Sequence, residues 1–142
     1  MDPRIVVAEV SADPVDPAVL LELVARPVAG ASALFVGTVR DHDPQAAGEV
    51  VGLGYSCHPS APERIGEIVA AALGSAEGVR VAAVHRIGRL AVGEVAFVVA
   101  VSSAHRALAF ELCERVVERV KRELPIWKQQ FEADGSYRWS GL

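Results

Sequence analysis

The chain has 142 residues, 51% hydrophobic and 23% charged, a balance that fits one globular, soluble domain spanning residues 1–142 around a buried core. A net charge of −4 argues against general nucleic-acid binding, so any anion site must be local. The longest apolar run, Val95 to Val101, falls well short of the ~20 residues a membrane helix needs, and the N-terminus lacks a basic-then-apolar leader, so the cytoplasm is the expected location.

In chain order, Arg4 to Val10 reads as a first strand. Asp16-Pro17 then supplies a helix cap and a proline at the first helical position, opening a helix to Ala25. Gly30 to Arg40 is rich in strand formers, with Gly37 a point of bulging or close approach. Asp41 to Gly48 is a polar loop, and Glu49 to Ser56 a weaker strand diluted by Gly52 and Gly54. Ser60 caps a helix from Ala61 to Leu73 that gathers Ile65, Ile68, Val69 and Leu73 on one face. Gly78 to Arg86 alternates as a strand, and Ile87 to Gly93 reads as a turn region. Glu94 to Val101 is almost continuously apolar, which predicts a central strand covered on both faces. Ser102 or Ser103 caps the longest helix, Ala104 to Leu124, whose core face repeats as Leu108, Leu112, Val116, Val120 and Leu124 beside Cys113 and Val117. Pro125 ends it. Ile126 to Glu132 and Tyr137 to Trp139 are short final strands about a turn at Asp134-Gly135. Helices alternating with strand pairs predict an α/β (α+β) fold: a mixed, partly antiparallel sheet with packed helices.

Only two lysines occur, Lys121 and Lys128, against twelve arginines. Guanidinium stays protonated at any working pH, whereas an ammonium gives up its proton when desolvated or crowded by cations. Two amines seven residues apart around a proline are therefore candidates for acid/base or covalent chemistry, or simply two surface lysines. His105-Arg106 opens the long helix, where basic residues are unfavourable unless an anion compensates them, so the pair is a candidate phosphate or carboxylate site. His85-Arg86 closes a strand and reads as structural. Asp41-His42-Asp43 is too contiguous to converge on a metal, and neither a metal nor a resident cofactor is expected. Cys57, in a loop, and Cys113, in the helix core, read as reduced thiols. Trp127 and Trp139 read as core or interface. No phosphate-binding glycine loop and no GxSxG motif is present. His105 and Lys121 stand 16 residues apart on one helix, about 24 Å at ~1.5 Å per residue. Either they serve different ligands, or one site combines the two ends from two subunits of a two-fold dimer.

Phe35-Val36-Gly37-Thr38-Val39-Arg40-Asp41-His42, His85-Arg86-Ile87-Gly88, Ser102 to Arg106 with Ala109-Phe110, Lys121 through Pro125-Ile126-Trp127-Lys128, and Asp134-Gly135 with Arg138-Trp139 occur in order along the chain. In these the sequence resembles the large, catalytic subunit of molybdopterin synthase, the MoaE family. The resemblance implies an α/β-hammerhead type of fold and a homodimer of large subunits, each with a small ubiquitin-like partner ending in a Gly-Gly thiocarboxylate. It implies sulfur transfer from that tail to cyclic pyranopterin monophosphate, two transfers giving the dithiolene. Lys121 and Lys128 match the family's active-site lysines, and Arg40, His105 and Arg106 its substrate-site positions, with Arg138 a weaker candidate. A cationic site for anionic ligands within an acidic chain is consistent with this. The sequence departs from the family pattern at Gln129-Gln130, where a basic residue and then Glu are usual, and at Gly54, where an acidic residue is usual. A non-enzymatic dimer binding an anionic metabolite, or a homologue keeping only the partner interface, are the competing readings.

Overall fold

The computed structural model describes residues 2–41, 50–132, 135 and 137–141, of which 50, 51, 138, 140 and 141 by backbone alone. The elements run β1 (Ile5–Ser11), α1 (Pro17–Val24), β2 (Ala31–Thr38), β3 (Val50–Cys57), α2 (Ala61–Leu73) and β4 (Arg80–Arg86). They continue as β5 (Gly88–Ala91), β6 (Val95–Ser103), α3 (Arg106–Glu123), β7 (Ile126–Glu132) and β8 (Tyr137–Gly141). All but one match the expected elements; the exception is β5, which falls in the expected turn region. Past Asp41, the expected polar loop lies outside the described residues, as does Asp134 of the last turn.

The strands divide between two sheets, where a single mixed sheet was expected. The first has the order β1-β4-β6-β2, with β1 parallel to β4 and the other pairs antiparallel. β6 is buried along nearly its whole length because it carries two cores. Phe97, Val99 and Val101 face α2 and α3, while Val98 and Ala100 face Leu20 and Val24 of α1. α3 lays Leu112, Cys113, Val116, Val117 and Val120 on the first core. Each such aliphatic side chain contributes about 1.5–3 kcal/mol on burial, so the repeat fixes how α3 lies across the sheet.

The second sheet, β5-β3-β7-β8, is antiparallel throughout. A single residue, Ile87, separates β4 from β5, and Gly88 then takes φ +97, a conformation that side chains disfavour. This turn carries the chain from one sheet into the other. Room for β5 comes from β3: a Cβ at Gly52 would sit 2.8 Å from the Leu90 carbonyl oxygen.

The ends of α3 also differ from expectation. Ser102 and Ser103 belong to β6, paired with Ser32 and Ala31 of β2, and the cap position is His105. The Ser102 hydroxyl donates to the Val24 carbonyl at 2.6 Å, and the Ser103 hydroxyl donates to the His105 carbonyl. Sheet pairing claimed both serines before the helix began. Asp16 caps α1 as expected, accepting from the Ala18 N–H at 3.0 Å. Ser60 stands at the start of α2 without a side-chain cap; its hydroxyl pairs with His58 Nδ1 at 2.9 Å. No helix among the described residues is long and apolar enough to cross a membrane.

Candidate active site

Lys121 lies in the last turn of α3, where exposed carbonyls and the helix dipole favour a cation. Its Nζ stands 5.7 Å from the centroid of the Phe35 ring on β2. Gly37, two residues along the same strand, leaves room for that ring, since a Cβ there would lie 3.2 Å from it. Phe35 meets Phe97 edge-on at 5.8 Å, Phe97 stacks on His85 at 5.1 Å, and His85 meets Tyr55 edge-on at 5.1 Å. Tyr55 pairs directly with Lys128 across the β3–β7 ladder. Opposed residues in a ladder project from the same face. Burial agrees: Ile126, Gln130 and Glu132 on Lys128's side of β7 are buried, while Trp127 is 48% exposed. One aromatic row, Phe35-Phe97-His85-Tyr55, thus runs between the two lysines and joins the two sheets.

Arg40 is exposed and follows Val39, whose backbone is pinned by hydrogen bonds with Glu94 and Gly93 at 3.0 and 2.7 Å. Since Thr38 pairs with Val95 at the start of β6, Arg40 emerges at the end of the sheet where Lys121 lies. His105 and Arg106, both exposed, sit at the opposite end, beside the Ala31–Ser103 pair. The structure therefore links Lys121 to Lys128 through the aromatic row and sets Arg40 at the Lys121 end of the first sheet, while His105-Arg106 lies a helix length away, about 24 Å by the rise per residue. Arg138 lies across from Gln130 in β8, described by its backbone.

His85 is 2% exposed. Burial, opposed by its bond to the Arg86 carbonyl and aided by the charge of Lys121, pushes its pKa down to about 4. The imidazole is thus neutral at working pH. Burial pushes the Tyr55 phenol up to about 12 and the Cys113 thiol up to about 11, so both stay protonated. Cys113 is an inert core thiol, as expected. Cys57 is the last residue of β3 and half-buried, not a loop residue. Trp139 is 60% exposed and, like Trp127, is not core. Of the two glutamines after Lys128, Gln130 is fully buried on the lysine's face and Gln129 points to the other face, opposite Gly54. Glu132, also buried, brings a carboxylate to Lys128's face four residues on.

His85-Arg86 closes β4 as expected and His85 is a buried, stacked ring; the place of Tyr55 beside Lys128 was not foreseen. His85 follows Val81 and Ala83 at steps of two, on the core face of β4, and that alternation was the available signal. Tyr55 carried none, because only the pairing of β3 with β7 brings it beside Lys128.

Fold and site together define a two-sheet α+β protein with Lys121 in the last turn of its long helix, linked by a row of rings to Lys128 on the second sheet. Residues 10–123 match the family model described as MoaE protein. The molybdopterin synthase catalytic subunit 1 of Mycobacterium tuberculosis is 40% identical over 123 residues, 86% of this chain and 82% of that protein. The catalytic subunit from Bacillus subtilis is 37% identical over 134 residues, 94% of this chain and 83% of its own. Among solved structures, molybdopterin synthase from Staphylococcus aureus superposes with a TM-score of 0.85 at 29% identity, covering 95% of this chain and 97% of the other. The chain belongs to the MoaE family.

Proposed function

We propose that this chain is the catalytic subunit of a molybdopterin synthase, an enzyme subunit of molybdenum cofactor biosynthesis, and that it acts as a sulfurtransferase. It takes sulfur from the C-terminal thiocarboxylate of a small ubiquitin-like partner and delivers it to cyclic pyranopterin monophosphate. The observation that carries this reading is the pair of lysines at the two ends of one aromatic row, with Arg40 at the same end of the sheet. A thiocarboxylate and a cyclic phosphate are both anions, and a lined end with three cations in an otherwise acidic chain suits them. Lys121 serves as the general acid/base at the acyl–sulfur group, and Lys128 holds the tail or substrate. Arg40 contacts the phosphate and pterin, and Arg138 is a weaker candidate for the same task.

His105 and Arg106 cannot reach Lys121 of their own chain. They act at the site of a second copy, in a dimer whose α3 helices run antiparallel about a two-fold axis. With residue 105 beside 121 of the other chain, the midpoint falls at Cys113. Phe110, 66% exposed, stands next to that midpoint and lines a groove of about 360 Å³ with Leu34, Cys113 and Val117, edged by Glu114 and Glu118.

The test is reconstitution with a thiocarboxylated small partner and the cyclic pterin, reading dithiolene formation. Lys121→Ala and His105→Ala are each expected to be inactive as homodimers. Mixed dimers of the two variants hold one intact site and recover about half of the activity. Recovery is impossible if both residues act within one chain. Dithiolene formation that survives loss of both lysines would overturn their assignment.

A further inference from the structure

Both tryptophans of the chain lie on one face of the second sheet, the face turned away from Lys128. Trp127 alternates with Lys128 along β7, and Trp139 on β8 pairs with Gln129, two residues beyond Trp127. The same alternation adds Phe131 and, opposite it, Tyr137, with 6.4 Å between the ring centroids. Arg89 joins from β5, opposed to Gly54, and its guanidinium rests 4.0 Å from the centre of the Phe131 ring. Gly54 leaves room for that ring, since a Cβ there would lie 3.2 Å from it. Trp127, Tyr137 and Trp139 nevertheless stay 48%, 57% and 60% exposed. An aromatic side chain offers about 150–250 Å² to burial, so these three leave on the order of 300 Å² of ring surface in water. A patch of that size marks an interaction site, and Trp, Tyr and Arg are the residue types that anchor protein interfaces.

We propose that this face docks the body of the small partner whose tail the lysines receive, through the three exposed rings and with a carboxylate of the partner set against Arg89. This rests on the sulfur-transfer reading. Charge and position choose the occupant. Among the described residues of the face, Arg89 carries the only charge. A second copy turned onto it would bring guanidinium and rings but no acid, whereas a different protein with an apolar patch rimmed by carboxylates is complementary. A single cation in a chain of net charge −4 also gives a nucleic-acid backbone nothing to track. As for position, Trp127 and Lys128 are consecutive residues of β7, so a body anchored on Trp127 stands one strand away from the amine. At ~3.3 Å per extended residue, three or four tail residues pass about 10–13 Å, enough to go from one face to the other. β3 ends at Cys57, opposite Ile126, and β8 ends at Gly141, opposite Trp127, so the tail has an end of the sheet to round beside Lys128.

The test is calorimetric titration of the small partner into this chain, with the partner in two forms: whole, its tail a plain carboxylate, and shortened by the tail so that only the body remains. The body alone is expected to bind the wild-type chain. Trp127→Ser and Trp139→Ser are each expected to weaken that binding on the order of 30-fold, the loss that follows truncation of an interface anchor. Arg89→Glu weakens it as well, and a carboxylate-to-arginine change on the partner restores it. Lys121→Ala and Lys128→Ala leave binding of the body unchanged. In turnover, Trp139→Ser raises the KM for the partner and keeps kcat at the wild-type level once the partner saturates. A body that does not bind, or that binds both tryptophan variants as it binds the wild type, overturns the proposal. So does loss of self-association by the lone chain in sedimentation of Trp139→Ser, which gives the face to a second copy. Dithiolene formation that survives loss of both lysines, with body binding still weakened in the tryptophan variants, defeats the catalytic reading and leaves the docking surface standing.

Discussion

Lowering the pH from neutral should destabilise this protein well before its carboxylates titrate, and His85 is the reason. In the unfolded chain its imidazole titrates near pH 6.5, while burial holds the folded value at about 4. Between those values the unfolded state binds a proton that the folded state refuses, so folding free energy falls as pH drops through 6.5 and continues to fall until about pH 4. Each pH unit of that gap carries about 1.4 kcal/mol, which gives about 3 kcal/mol lost across the window. That is a large share of the ~5–15 kcal/mol typical of a domain. Asp2, held down to about 2 by its hydrogen bonds from Arg4, acts below this window, between its ordinary 3.8 and that value. The assay is urea denaturation at a series of pH values from 7.5 to 4.5, on the wild type and on His85→Phe. The wild type should lose midpoint steadily below pH 6.5. The variant should begin less stable, because the Arg86 carbonyl loses its partner, but its curve should be flatter across the same window. Equal slopes in the two proteins would refute the assignment of the acid limb to His85.

Gly52→Ala should destabilise the second sheet by about 1–3 kcal/mol, since its Cβ would meet the Leu90 carbonyl oxygen at 2.8 Å and backbone cannot swing aside; thermal denaturation reads it, and an unchanged Tm would contradict the packing of β3 on β5. Phe110→Glu should convert the proposed dimer to a monomer in sedimentation while leaving the circular dichroism spectrum intact, because the residue is 66% exposed and takes no part in its own chain's core. A variant that still sediments as a dimer would move the interface off this face.

The parts of the fold written in periodicity were legible. The four-residue repeat of α3 and the unbroken apolar run of β6 predicted a long core helix and a doubly covered strand, and both are found. Pairing information was not legible. Nothing local in Gly88 to Ala91 says that it leaves the first sheet and joins β3, because that choice depends on Gly52 making room 36 residues earlier. The same holds at the site. Lys121 and Lys128 were conspicuous by residue type, and the length of α3 already separated them from His105. The aromatic row between the lysines draws on β2, β3, β4 and β6, and no window of sequence contains it. Ser102 and Ser103 show the converse error: good capping residues by type, they were spent on the strand that precedes the helix.

The length of α3 bears on turnover as well as on assembly. In the two-fold dimer proposed here, the helix pair separates the two catalytic centres by about the 24 Å between residues 105 and 121. A single pterin is far shorter than that and cannot draw on both centres at once. Both sulfur atoms of one product must then pass through one centre in succession. A spent tail has to withdraw and a freshly charged one arrive while the half-finished pterin is retained. The grip on the small partner must therefore be reversible on the timescale of catalysis, whereas the contact between the two large subunits can be permanent.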